Sequence, residues 1–238
     1  MSFARRLWQP EKMRLFAVVT LLLGAAASMP TADRALDEQD RASLEKIAGE
    51  SGAAAARKPA DFAAQMEAAL HQSMLSQLAI ELGDKPTGRR AAEAGMGPAR
   101  KALELKPTDA EAHRLLGTLC GQVIPANPLS ALKYGRCAMD EVKKAIELNP
   151  KSAGAWLSRG VGNYYLPEAF GGGVHLAIQD FDKAIQLDGK SAEAHLWRGI
   201  ALRKSGNTVE ARKALERSLA LNPRRKWAKQ QIEKLPAR

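Results

Sequence analysis

The chain has 238 residues, a formal charge of +10, and 45% apolar but only 5% aromatic residues. That length allows one solenoid or two small domains. The scarcity of aromatics, with no series of alternating Val, Ile, Thr and Tyr runs between turn dipeptides, argues against a strand-based fold. A basic balance suits nucleic acid or an anionic surface. Here the charges spread over separate stretches, from Lys85, Arg89, Arg90, Arg100 and Lys101 to Arg224, Arg225, Lys226, Lys229 and Lys234, so nucleic acid is not expected as a partner.

Residues 1–27 read as an export signal. Arg5, Arg6, Lys12 and Arg14 precede an apolar run of 13 residues at 15–27, too short for an easy bilayer crossing. Ala25, Ala26, Ala27 and Ser28 supply small residues for cleavage. The expected location is periplasmic or secreted. Left uncleaved, the segment would anchor the protein to a membrane, the only membrane association expected; a buried core helix is the remaining reading.

Residues 33–59 are expected to form a polar helix, with Leu36, Leu44 and Ile47 as a thin apolar stripe, followed by an alanine-rich linker from Gly49. Residues 60–107 read as a degenerate helical hairpin. Its first helix places Phe62, Met66, Leu70, Met74, Leu78 and Leu82 about four apart. Gly83-Asp84-Lys85-Pro86 breaks it, and Thr87 opens a second helix that runs to Leu105. The methionines suit gaps in a core rather than a metal site.

Three units follow, at 108–150, 151–189 and 190–223. They open on Asp109-Ala110-Glu111-Ala112-His113, Ser152-Ala153-Gly154-Ala155-Trp156 and Ser191-Ala192-Glu193-Ala194-His195. Their ends and that of the preceding hairpin recur as Leu105-Lys106-Pro107, Leu148-Asn149-Pro150, Leu187-Asp188-Gly189 and Leu221-Asn222-Pro223. Successive ends lie 43, 39 and 34 residues apart, which is one 34-residue unit with insertions of nine and five residues in the first two. Asp109, Ser152 and Ser191 suit helix N-caps, and Ser205-Gly206-Asn207 supplies a stop and turn. A glycine inside a helix costs about 1 kcal/mol against alanine. Its return at Gly117, Gly160 and Gly199 predicts close approach of paired helices, with Ala138, Ala177 and Ala211 facing them. Residues 224–238 predict a capping helix, with Trp227 and Ile232 over the last hairpin and its Arg, Lys and Gln side chains in water.

This pattern resembles the tetratricopeptide repeat (TPR). The resemblance implies an all-α, right-handed α-solenoid of helix-turn-helix hairpins with a terminal capping helix. Within the second insertion, Leu166-Pro167-Glu168-Ala169-Phe170-Gly171-Gly172 is similar to a loop in periplasmic TRAP-transporter-associated TPR proteins and in eukaryotic regulators of microtubule dynamics. Those loops often carry an acidic residue after the two glycines, where this chain has Gly173.

Little in the sequence points to catalysis. His71, His113, His175 and His195 are not paired at metal-ligand spacing, and no HExxH or CxxC motif occurs. His113 and His195 stand where the repeat usually has an aromatic residue, which predicts a packing role. Ser158 lacks the context of a hydrolase nucleophile, and Gly171-Gly172-Gly173 lacks the Lys-Ser/Thr of a phosphate loop. No enzyme activity, cofactor or metal is expected. Cys120 and Cys137 flank one hairpin turn, and a disulfide across it and two buried thiols are both open readings.

The TPR resemblance places the first helix of each unit on a concave face that displays the ligand contacts. The candidates are Leu157, Val161, Tyr164 and Tyr165, then Leu196, Trp197 and Ile200, with Arg114 and Arg203 toward the edges and Phe170 on the insertion. Phe170 filling the core, or N-terminal helices folding back over the groove, are the competing readings. The lysines and asparagines that clamp a peptide carboxylate in related repeats are missing. The expectation is a non-catalytic, exported scaffold that binds a protein or peptide through an apolar and aromatic groove. The alternative is a periplasmic transport accessory that binds a small apolar or anionic ligand.

Overall fold

The computed structural model describes residues 31–127 and 129–236, so the expected export signal lies outside the described residues. Eleven α-helices and no strands occur among the described residues. They are α1 (Ala32–Asp37), α2 (Arg41–Arg57), α3 (Phe62–Glu81), α4 (Lys85–Leu105), α5 (Ala110–Val123) and α6 (Ser130–Leu148). Then follow α7 (Ala153–Tyr165), α8 (Val174–Leu187), α9 (Ala192–Lys204), α10 (Thr208–Leu221) and α11 (Lys226–Glu233). Short 3-10 turns at Ile124–Ala126 and Glu168–Phe170 occupy the two insertions. Among the described residues, no helix is long and apolar enough to cross a membrane.

The helices pair as α3/α4, α5/α6, α7/α8 and α9/α10, and the first members α3, α5, α7 and α9 neighbour one another in an inner row. The starts are set by capping, as the sequence implies. The Asp109, Ser152 and Ser191 side chains accept from the amides of Ala112, Ala155 and Ala194 at 2.9, 3.1 and 3.2 Å, each filling an otherwise orphaned donor. Gly206 takes a left-handed φ of 83° at the α9/α10 turn, which a side chain would disfavour.

The N-terminal region differs from expectation. Two helices stand in place of one, because Gln39 adopts φ 53° and Asp40 then caps α2 through the Ser43 amide. The stretch expected as a linker from Gly49 is helical to Arg57. Within it Ser51 and Ala55 are buried and α2 packs along α3, so tertiary burial overrides the weak helix propensity of Gly49 and Gly52. The helix after Gly83 starts at Lys85 rather than Thr87, with Asp84 as its cap.

A repeated contact runs through the three hairpins. A Cβ on Gly117, Gly160 or Gly199 would lie 2.7 Å from Val142, 2.5 Å from Phe181 and 2.5 Å from Leu215 respectively. The expected alanine partners are therefore one helical turn out. The nearest side chain at each glycine belongs to the residue four positions beyond Ala138, Ala177 or Ala211, and at Gly199 the Ala211 carbonyl lies 3.1 Å away as well. A second periodic contact goes beyond the packing role expected of His113 and His195. His113, Trp156 and His195 each donate a ring N–H to the carbonyl six residues earlier, on Pro107, Pro150 and Gly189, at 2.9, 2.9 and 3.3 Å. These bonds tie each unit to the end of the one before it. Cys120 and Cys137 are joined in a disulfide across the α5/α6 hairpin.

Gly160 has no room for a methyl group, while nothing lies within 4 Å of a Cβ placed on Gly162 in the same helix. Gly160→Ala is expected to destabilise the fold by about 1–3 kcal/mol through overpacking. Gly162→Ala is expected to stabilise it by roughly 0.5–1 kcal/mol through helix propensity. Urea denaturation of the two variants checks both signs.

Candidate functional site

The inner row of helices encloses a groove of about 330 Å³. Met74, Gln77 and Glu81 of α3 form one wall, Thr118 and Gln122 of α5 the floor, and Leu157, Val161 and Tyr165 of α7 the opposite wall. Glu193 and Trp197 of α9, with Trp227 of α11, close the far end. The rings meet edge to face: Trp197 to Trp227 at 5.3 Å between centroids, and Tyr165 to Trp197 at 6.1 Å.

The far end is held by Arg225, whose side chain is only 2% exposed. It lies just ahead of α11 and reaches across to α3, where Nη1 donates to Glu81 Oε2 at 2.9 Å and Nη2 donates to Glu81 Oε1. Its Nε donates to Glu193 Oε2 at 3.2 Å, and Asp37 Oδ1 stands 3.9 Å from the same nitrogen. Gln77 donates to both Glu81 and Glu193, at 3.0 and 2.8 Å, and the Trp197 indole donates to Glu193 at 3.1 Å. Asn222 to Asp37, and Gln39 to Gln230, add further bonds between the two ends of the chain. The N-terminal helices therefore do fold back onto the last hairpin, but they leave the groove open beside the contact.

One arginine faces three carboxylates, and the acid–base properties follow. Burial works against the charge on Arg225, yet Glu193 and Glu81 hold its pKa above the ordinary range. Glu81 is raised by burial, opposed by Arg225 and reinforced by the Glu193 charge. Asp37 is raised chiefly by burial as well. Tyr165 keeps 47% of its surface exposed, but loss of solvation around its phenol, with Tyr164 and Glu81 nearby, pushes it up to about 12.

Of the candidate residues, Leu157, Val161, Tyr165 and Trp197 line the groove. Leu196 and Ile200 do not; both are buried in the core cluster that they share with Phe181, Leu215 and Trp197 itself. Arg203 donates to Gln231 at 3.1 Å and lies outside the groove lining, and Arg114, at the groove edge, is bonded to Glu111 and Ser158. Of the two arginines expected toward the edges, only Arg114 lines the groove, and its charge is answered by Glu111. Tyr164 faces a separate cleft of about 740 Å³ at the α7/α8 and α9/α10 corners, where Lys204 lies 4.3 Å above its ring. Phe170 is 74% exposed and lines neither space, so it does not plug the core. Arg225 and Gln231, expected to face water, are buried. Sequence reasoning missed Glu81 and Glu193 in the groove lining, and Arg225 that pairs with them.

The family model described as Regulator of microtubule dynamics protein 1-3 matches residues 29–168, and the tetratricopeptide repeat model matches residues 192–225. No curated protein matches significantly. Among solved structures, PilF of Pseudomonas aeruginosa is 21% identical, with a TM-score of 0.47 over 71% of this chain and 67% of its own. A thermophilic TPR protein of Thermus thermophilus is 19% identical, with a TM-score of 0.47 over 69% of this chain and 81% of its own. YrrB, described as a TPR protein with an unusual peptide-binding site, is 15% identical, with a TM-score of 0.45 over 87% of this chain and all of its own. The tetratricopeptide repeat is in general a non-catalytic scaffold for protein interaction.

Arg225→Met leaves Glu81, itself 1% exposed, buried without its counter-charge. The expected cost is about 3–5 kcal/mol, read from denaturant midpoints at neutral pH. Glu81 also imposes a pH dependence. Its raised pKa means that the folded chain binds this proton at a higher pH than the unfolded chain does. The resulting stabilisation is complete below the ordinary value of 4.5 and is lost as pH rises through the raised folded value. Between about pH 7 and pH 4.5 the parent protein should therefore gain stability relative to Glu81→Gln. Parallel stability curves for the two proteins would contradict the assignment.

Proposed function

The chain belongs to the Regulator of microtubule dynamics protein 1-3 family, and from that premise we propose that it is an exported, non-catalytic interaction module that binds an extended protein segment in its inner groove. The observation that carries the proposal is the groove itself. Its walls come from α3, α5, α7, α9 and α11, and they combine aromatic, aliphatic and hydrogen-bonding side chains around space that the described residues leave unfilled. Such a mixture fits a peptide, whose backbone needs hydrogen bonds and whose side chains need apolar contact. Leu157, Val161, Tyr165 and Trp197 are the contacts on this reading.

Export is supported by the basic start and the apolar run at 15–27. The Cys120–Cys137 disulfide points the same way, because such bonds persist in oxidising compartments.

The test is site-specific photo-crosslinking in the native host, with the probe at Val161 in the groove and, as control, at the exposed Leu132 of α6. One protein segment captured reproducibly from Val161 and absent from Leu132 is the expected result. The captured pool should be exported material lacking residues 1–27. Equal capture at both positions, or none, refutes the groove as the docking site, and a co-purified small solute in its place selects the transport-accessory reading.

A further inference from the structure

The groove carries a charge opposite to that of the whole molecule. The formal charge of the chain is +10, yet the carboxylates of Asp33, Glu81 and Glu193 line the groove, with Asp37 behind them beside Arg225. Two arginines answer these acids, and both are committed. Arg225 is shared among Glu81, Glu193 and Asp37. Arg114 is held by Glu111 on its own helix and by Ser158. Asp33 is exposed and forms no ion pair among the described residues. Glu193 keeps 30% of its side chain open to solvent.

The same space is bordered by Tyr165, Trp197 and Trp227, with their rings inclined at 72° and 74° to one another. Aromatic faces carry partial negative charge, and a cation near them gains from the ring quadrupole as well as from nearby carboxylates. The wall already holds one cation in this way, since the Arg225 guanidinium sits 5.5 Å over the Trp227 ring.

We propose that the groove receives a lysine or arginine side chain of the bound protein segment, its stem along Leu157 and Val161 and its charged head among Tyr165, Trp227, Asp33 and Glu193. The inference rests on the groove reading above and adds the chemistry of the occupant. The overall positive charge does not oppose it at contact range, because screening reduces distant charges beyond about 8 Å at physiological salt. In the groove lining Asp33, Glu81 and Glu193 outnumber the single arginine, Arg114, which is already paired with Glu111. An acidic side chain there would face like charge with no free arginine to receive it.

The purified chain, at physiological salt, is titrated with a short capped lysine–alanine peptide and with its glutamate–alanine counterpart, by calorimetry. The lysine peptide should bind and the glutamate peptide should not. Asp33→Asn should weaken lysine-peptide binding about threefold, and Asp33→Asn combined with Tyr165→Leu at least about tenfold. Asp33 is exposed, so its variant keeps the circular dichroism of the parent. Equal or tighter binding of the glutamate peptide, or unchanged lysine-peptide affinity in both variants, overturns the proposal. A crosslinked segment without basic residues also overturns it while leaving the groove reading intact. Lysine-peptide binding that responds to Asp33→Asn, with no segment captured from Val161, upholds the cation site and rejects only the protein partner.

Discussion

Arg225 and Glu81 lie 144 residues apart in sequence and meet at the back of the groove. A helical solenoid ordinarily gains stability from contacts between neighbouring repeats only, so its curvature is free to vary. This contact joins the first hairpin to the element after the last one. Taking a guanidinium and a carboxylate out of water costs several kcal/mol per ion, and their mutual attraction offsets that cost only in good geometry. The pair is therefore a weak source of net stability but a strict condition on position. A shift of either end by a turn would strand a buried charge. The Asn222–Asp37 and Gln39–Gln230 bonds extend the same condition to α1 and α11. The width of the groove follows from that closure, and so does the distance between its aromatic end and the α3 wall.

The closure also decides the sign of the groove. Three carboxylates gather at one arginine, and Asp33 adds a fourth nearby. A cluster needing only structural neutrality would match charges one to one. Burial raises the pKa values of Glu81 and Asp37, and the Glu193 charge adds to both. The surplus faces the groove through Glu193 and Asp33, where Arg114 is the one Lys or Arg among the described lining residues.

Much of the fold was legible because its signals are local. The caps at Asp109, Ser152 and Ser191, the glycines of the hairpin crossings and the turn at Gly206 each need only their own few residues. What failed depended on distant partners. Gly49 and Gly52 suggest a loop until α3 is placed alongside them. The alanine partners were one turn out because a missing Cβ invites a large side chain rather than another small one. Leu196 and Ile200 share α9 and one buried cluster with Trp197, and only the neighbouring helices decide which of the three reaches the groove. A sign of Arg225 was present in the sequence. It sits two residues beyond Pro223, the place held after the earlier unit ends by Asp109, Ser152 and Ser191. Each of those caps its helix, whereas Arg225 makes no capping bond. A break in a local rule that the rest of the chain obeys marks a residue held for another purpose.

The second insertion obeys a rule of its own. Gly171 and Gly173 have φ of 82° and 113°, and a Cβ on Gly173 would lie 2.5 Å from the Glu168 side chain. The Gly173 amide donates back to Asn163 on α7 at 2.9 Å, so the loop doubles over its own start. Asn163 in turn donates to Asp180, which Arg159 holds from the same helix. An acidic residue at 173, as in the loops this stretch resembles, would place a carboxylate against Glu168 on a backbone that side chains rarely adopt. Glycine at that position is thus coupled to glutamate at 168. The acidic group of the loop lies ahead of the glycines in this chain, beside the edge cleft and away from the inner groove. Whatever the cleft contributes, its charge is set independently of the closure that shapes the groove.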